Sequence, residues 1–317
     1  MKGLNLFIAG MEKSGTTSLA DWLVHNNLAR YRIPGIKEPN IYAYNGNSST
    51  PDTLYHNEIV LDASVSYAIN PYALSRMPEH DTKIILCLRN NFDRTFSAYN
   101  FFRIMCRKDT ASSELLKSSV EREQKNPARI LEDDSEDAFF ENQLKHTLAY
   151  FPAKSKETIR GYFIEQAKNI ANQSFMERIQ YEMGFFLSRR SFPFLSILVN
   201  SCLTFPLKNL LRKYNPEDIH LVTMDMLEDA DKRQSFVSEL FSGHHSIEGD
   251  LPPLPKLNTS SKNSMSEAKP DFTDSQWNII RGWFRQDLAS FYNVMKSSGT
   301  SSKYINKDHL NKNIIQT

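Results

Sequence analysis

Residues 4–18, LNLFIAGMEKSGTTS, constrain the fold more than any other stretch of the chain. Leu4 to Ala9 is a short apolar run that meets Gly10, the pattern of a buried strand entering a turn. Leu19, Trp22 and Leu23 then recur at helical spacing within Ser18 to Ala29. The chain therefore opens strand, glycine-containing loop, helix. Free N–H groups and the positive dipole end of the helix meet Lys13 and the hydroxyls of Ser14, Thr16, Thr17 and Ser18 in that loop. This composition suits a phosphate-like anion. Gly15 would let the backbone approach it closely. The plainer alternative is an ordinary strand-to-helix turn with polar caps.

Further apolar runs at Ile59 to Ala63, Lys83 to Leu88 and Ile219 to Met224 predict strands, and Phe92, Phe96, Tyr99 and Phe102 predict a helix. Strands alternating with helices predict an α/β fold, a P-loop-like parallel sheet flanked by helices. Residues 107–180 are polar, charged and helical in pattern, so 107–215 is expected to be a helical insertion on the acceptor side. Within it Phe192 to Leu207 is an apolar stretch shorter than the ~20 residues of a membrane span. It reads as a buried helix, with an interfacial membrane contact as the alternative. Residues 249–272 are rich in Pro, Ser and Asn and read as a long loop. Thr273 and Gln276 form a capping box before an amphipathic helix carrying Trp277, Ile280, Phe284, Leu288, Phe291 and Met295. Residues 1–296 are thus expected to form a single domain, and 297–317 a polar tail, disordered or packed on a neighbour.

Charge excludes some partners. Lys+Arg number 38 against 37 Asp+Glu, so no basic excess points to nucleic acid or to a polyanion. Cys87, Cys106 and Cys202 are too few and scattered for a disulfide scaffold or structural zinc, and no ligand cluster for a metal is present in the sequence. The N-terminus has no leader pattern, so a cytoplasmic protein without stable membrane insertion is expected.

The order of residues in the anion loop separates two chemistries. A nucleotide triphosphatase or kinase loop reads GxxxxGK[ST], with its lysine after the second glycine. Here Lys13 precedes Ser14-Gly15-Thr16-Thr17, so that pattern fails. EKSGTTSLADWL resembles instead the 5′-phosphosulfate loop of sulfotransferases that use 3′-phosphoadenosine 5′-phosphosulfate (PAPS). A second element agrees: in LCLRNNFDRTFSAYNFF, Arg89 ends a strand and Ser97 lies eight residues on. The resemblance assigns both to the 3′-phosphate, which a guanidinium and a hydroxyl can hold. A third element, IPGIKEPNIYAY, resembles the KEPHFF segment of the carbohydrate (heparan-sulfate-like) and bacterial branch.

The resemblance implies transfer of a sulfuryl group from PAPS to a hydroxyl or amine of a small-molecule or carbohydrate acceptor, without a metal. It places Lys13 on the bridging oxygen and gives the backbone N–H groups of Ser14 to Thr17, with Thr16, Thr17 and Ser18 hydroxyls, to the 5′-phosphate. Glu38 becomes the general base, with a salt bridge to Lys37 as its alternative role. Asp62 is a second candidate base, and Lys262 in KLNTSSKNS a candidate to close over the phosphosulfate, with a solvated loop lysine as the alternative. Asn40 stands where the branch has His, beside the acceptor. LDASVSYAI, Leu61 to Ile69, matches the branch's EKSPAYF with its Lys at Ala63 and its Pro at Val65, so one cation near the transferring group is missing. The acidic run Leu131 to Glu141 is either a solvated face or a border that favours a neutral or cationic acceptor. Two rival functions are a P-loop-type kinase or triphosphatase, and a degenerate homologue that binds nucleotide without catalysis.

Overall fold

The computed structural model describes residues 3–43, 58–106, 165–166, 168–189, 196–244, 249–255 and 274–315. Its centre is a five-stranded sheet in the order β2-β3-β1-β4-β5. The strands are β1 (Leu4–Gly10), β2 (Arg30–Tyr31), β3 (Ile59–Asp62), β4 (Thr82–Leu88) and β5 (Ile219–Thr223), and every pairing is parallel. A parallel sheet is covered on both faces, and β1 and β5 are accordingly buried along their whole length. Alternate residues face opposite ways: Phe7 and Ala9 enter one apolar core with Ile84 and Leu86, while Leu6 and Ile8 enter the other with Ile85 and Cys87.

The helices are α1 (Thr16–His25), α2 (Pro71–Arg76), α3 (Asn91–Cys106), α4 (Phe175–Arg189), α5 (Thr204–Leu211), α6 (Ala230–Leu240), α7 (Asp274–Ser298) and α8 (Lys307–Asn311). Trp22 and Leu23 of α1 and Phe236 and Leu240 of α6 cover one face; Phe92 of α3, Leu207 of α5 and Phe284 of α7 cover the other. Ile280, Phe284, Leu288, Phe291 and Met295 are all buried, as the spacing along α7 predicts. None of the described helices is long and apolar enough to cross a membrane.

Chain order fixes where a ligand belongs. From β1 the chain runs to β2 and β3 on one side, then returns to β4 on the other side of β1 and continues to β5. The strand order therefore reverses between β1 and β4. In open parallel sheets the crevice outside the carboxyl ends at such a reversal is where ligands bind.

Two expectations need correction. Residues 297–317 were expected to be a polar tail, disordered or packed on a neighbour; instead Tyr304 bridges Val222 of β5, and Tyr304, Leu310 and Ile314 are buried in the two cores of the same domain. Apolar residues spaced among Lys, Asn and Ser are enough for this, although the segment's average is polar. Phe192 to Leu207 is not one helix. A short 3-10 turn, Val199–Ser201, precedes α5, and Pro206 sits in the first turn of α5, where its missing N–H has no partner to lose. The start of the expected insertion, the acidic run Leu131 to Glu141, Thr273 and Lys262 lie outside the described residues.

Candidate active site

Gly10 closes β1, and Gly15 is the N-cap of α1, so the loop between them lies at the carboxyl edge beside β4. Its entry is tied to β4 by Met11 N–H, which donates to the Cys87 carbonyl at 3.0 Å. Two arginines that follow β4 then hold consecutive loop carbonyls. Arg94 Nε donates to the Glu12 carbonyl at 2.8 Å, and Arg89 Nη1 donates to the Lys13 carbonyl at 3.0 Å. With its carbonyls turned toward these cations, the loop reverses through left-handed backbone at Lys13 (φ 63°) and Gly15 (φ 86°). Ser14 N–H bonds the Met11 carbonyl at 3.2 Å, so the expectation that it serves the anion is corrected.

What remains is a helix start without its own cap. Gly15 has no side chain to offer the first turn of α1, and that turn contains no acidic residue. Its N–H groups and dipole therefore face outward with unbalanced positive character. The Ser14 hydroxyl is buried and has no hydrogen-bond partner among the described residues. An orphaned buried hydroxyl beside an uncapped helix start is what a bound anion would satisfy. Thr16 and Ser18 are buried and Thr17 is half-buried on the same turn.

Gly15 is required for a second reason: a Cβ there would lie 2.4 Å from Met224 Cγ. Gly15→Ala is expected to combine this clash with left-handed strain of about 1 kcal/mol. Affinity for an anion at this loop should fall about tenfold or more by calorimetry. Adding Met224→Ala should recover only the part due to the clash.

Ser97 is placed by helix geometry. Arg94, Ser97 and Phe101 share one stripe of α3 at spacings of three and four. Arg94 reaches Glu12, and the Phe101 ring lies 4.1 Å from Lys13 Nζ, so the stripe between them faces the loop. Ser97, half-buried, sits at its middle. Arg89 is joined to the Lys13 carbonyl, and Ser97 lies on the α3 stripe that reaches the same loop. Burial lowers the pKa of Lys13, opposed by Glu12 and reinforced by Arg89, Arg94 and Lys37. Burial likewise lowers that of Arg89. Mutual repulsion among these cations is what a polyanionic ligand would relieve.

The Arg94 role was not foreseen. In sequence it is one charge on a helix face; in the fold it is 1% exposed, and it also bonds Ser201 Oγ at 3.0 Å and Glu12 Oε2 at 3.4 Å. Asn90 is the other unforeseen residue. Its Oδ1 accepts from Phe92 and Asp93 N–H at 3.1 Å, capping α3. Its Nδ2 donates to the carbonyls of Leu310 and Lys312 at 2.9 Å, so the C-terminal segment grips the residue next to Arg89.

The opposite wall comes from residues 37–40. Lys37 Nζ lies 2.5 Å from Glu38 Oε1 and 3.5 Å from Thr16 Oγ1, which brings Glu38 to the anion loop through its neighbour. The salt bridge foreseen as an alternative for Glu38 is present, and the carboxylate is still 38% exposed. Asn40 and Asp62 correct the expectation that they meet the acceptor. Asn40 is buried in left-handed backbone (φ 52°); its N–H bonds Ser64 Oγ and its Nδ2 bonds the Glu38 carbonyl. Asp62 is fully buried, with Oδ1 accepting from Ser64 N–H and Oγ and Oδ2 accepting from the Tyr67 hydroxyl. Both residues frame the wall from behind.

Burial raises the Asp62 carboxyl to about 6, against the hydrogen bonds of Ser64 and the charge of Arg32. The folded state therefore keeps a proton that the unfolded chain releases near pH 4. Stability from this residue is present below that pH and is lost as pH rises through about 6. Urea unfolding should show wild type losing ~2–3 kcal/mol relative to Asp62→Asn between pH 4 and 7. An equal slope in both proteins would remove this assignment.

Among the described residues no group of three or more His, Cys, Asp or Glu side chains is arranged to hold a metal. A family model described as a sulfotransferase domain matches residues 5–169, half of the chain. Among solved structures, a crystal structure of a sulfotransferase from Alicyclobacillus acidocaldarius is 15% identical, with a TM-score of 0.49 over 92% of this chain and 96% of that one. No curated protein matches the sequence.

Proposed function

Because the chain belongs to the sulfotransferase domain family, we infer that it moves a sulfuryl group from PAPS to a hydroxyl or amine of a small-molecule or carbohydrate acceptor. The observation that carries this reading is the uncapped start of α1 with its orphaned Ser14 hydroxyl, set beside Lys13, Arg89 and the loop-facing Ser97. PAPS supplies the activated sulfuryl group and carries phosphates at two ends of one nucleoside. Those two ends match the two clusters: the Gly10–Ser18 loop for the 5′-phosphate and Arg89 with Ser97 for the 3′-phosphate.

The residues divide the work as follows. First-turn N–H groups of α1 and the Ser14, Thr16 and Thr17 hydroxyls hold the 5′-phosphate without moving, since the loop is fixed by Arg89 and Arg94. Lys13 Nζ, resting on the Phe101 ring, supplies positive charge where the leaving oxygen becomes negative. Glu38 is exposed enough to reach an acceptor and takes its proton as attack proceeds. The acceptor enters on the Glu38 side, across the crevice from α3.

Calorimetry with 3′-phosphoadenosine 5′-phosphate (PAP), the product nucleotide, tests the reading. Wild type should bind it, and Arg89→Ala should weaken binding about 30-fold, consistent with loss of a charge-assisted contact. The same variant should bind 5′-AMP, which lacks the 3′-phosphate, with little change beyond that from the loosened loop. No heat with PAP would overturn the reading. A mass gain of one sulfuryl group across an acceptor panel would then identify the second substrate.

A further inference from the structure

We propose that Lys37 is a further catalytic residue, whose ammonium binds the sulfuryl oxygens of PAPS between the anion loop and Glu38. This rests on the co-substrate reading above and assigns a residue that reading does not use. Three features locate the ammonium. Its side chain is only 17% exposed, its Nζ contacts Glu38 Oε1 at 2.5 Å, and it donates to Thr16 Oγ1 at 3.5 Å. The main chain beneath it is pinned, because Ala63 N–H at the end of β3 donates to the Lys37 carbonyl at 3.0 Å. The ammonium is near enough for its charge to act on Glu12 and Lys13 in the loop and on Cys87 in β4. It therefore lies beside the anion loop, at the first turn of α1.

An ion pair alone does not account for this position. Glu38 is more than one-third exposed, and such a pair contributes little. Against that, Lys37 lies close enough to Lys13 for the two charges to repel each other. A bound polyanion reverses the sign of that term. An ammonium also has three N–H donors. Among the described residues Glu38 and Thr16 take two, and the third is available to an anion.

The division of labour follows from geometry. In the transfer, an acceptor oxygen forms a bond to sulfur while the bond from sulfur to the 5′-phosphate oxygen breaks, and its electron pair leaves on PAP. The acceptor proton goes to Glu38. Lys37 neither gains nor loses a proton. It offsets charge on the sulfuryl oxygens, and through its contact with Glu38 it holds the base beside the attacking group. Lys13 serves the leaving oxygen, which PAP retains; Lys37 serves the sulfuryl group, which PAP lacks.

Comparing the two nucleotides tests this. Calorimetry with PAPS and with PAP should be run on wild type, Lys37→Met, Lys37→Gln and Lys37→Arg, with urea midpoints measured on each. Lys37→Met and Lys37→Gln should lose about tenfold or more in PAPS affinity and stay within about twofold for PAP, as expected for one charge-assisted contact. Lys37→Arg should recover most of the loss. Equal losses for both nucleotides, or no loss in either, would overturn the Lys37 assignment while leaving the co-substrate reading standing. Wild type that binds neither nucleotide would overturn both together.

Discussion

Lys13→Ala should reduce sulfuryl transfer about 100- to 1,000-fold, the usual effect of removing one donor from the site where negative charge develops. The ammonium is held, not solvated: burial depresses its pKa and the Phe101 ring lies 4.1 Å away. Its preorganisation is what water cannot replace. Affinity for PAP should fall less than turnover, since on the proposed reading the first-turn N–H groups and Arg89 would still hold the phosphates. Single-turnover kinetics with a sulfated product as readout would check this. A loss confined to KM would mean that Lys13 only binds. Lys13→Arg should not restore the rate, because a delocalised guanidinium does not present the compact point charge of an ammonium to the leaving oxygen.

Arg94→Met should be the most destabilising single change in the site. Arg94 is nearly inaccessible and bonds the Glu12 carbonyl, the Glu12 carboxylate and Ser201 Oγ. Breaking a buried pair leaves an uncompensated charge, at ~3–5 kcal/mol. Glu12 keeps 28% of its side-chain exposure, so part of its charge is solvated and the expected loss is nearer ~2–3 kcal/mol. Urea denaturation would measure it. Adding Glu12→Gln to Arg94→Met should recover much of the loss, because the orphaned carboxylate is then gone. Transfer should stay impaired in the double variant, since the Glu12 carbonyl is still unheld. Recovery of both stability and rate would remove Arg94 as the loop's anchor.

Some of this was legible in the chain and some was not, for physical reasons. A short apolar run ending at Gly10 and followed by a helical pattern marks a buried strand, a loop and a helix, and these occur at Leu4–Gly10 and Thr16–His25. Arg89 follows the end of β4 and Ser97 lies in the second turn of the next helix, the strand-and-helix placement that the spacing predicts. The family match spans residues 5–169, a stretch that contains these same residues. Arg94 was not legible, since a buried arginine on a helix differs from a solvated one only through partners distant in sequence. Asp62 illustrates the converse. A carboxylate closing a strand reads as available to a cleft, yet Ser64 and Tyr67 fold back over it. The two-residue strand Arg30–Tyr31 is too short for any periodicity. Residues 299–315 were hidden by averaging: their buried apolar residues, Tyr304, Ile305, Leu310 and Ile314, are too sparse to form a pattern.

That C-terminal segment has a consequence for synthesis. Thr223 N–H at the end of β5 bonds the Tyr304 carbonyl, and Asn306 N–H bonds Thr223 Oγ1. Asn90, adjacent to Arg89, is held by the carbonyls of Leu310 and Lys312. A nascent chain that has left the ribosome only as far as residue 300 thus presents β5 with a bare edge and Asn90 with an unanswered amide. The corner that residues 10–18 begin is finished only when residues 304–312 arrive.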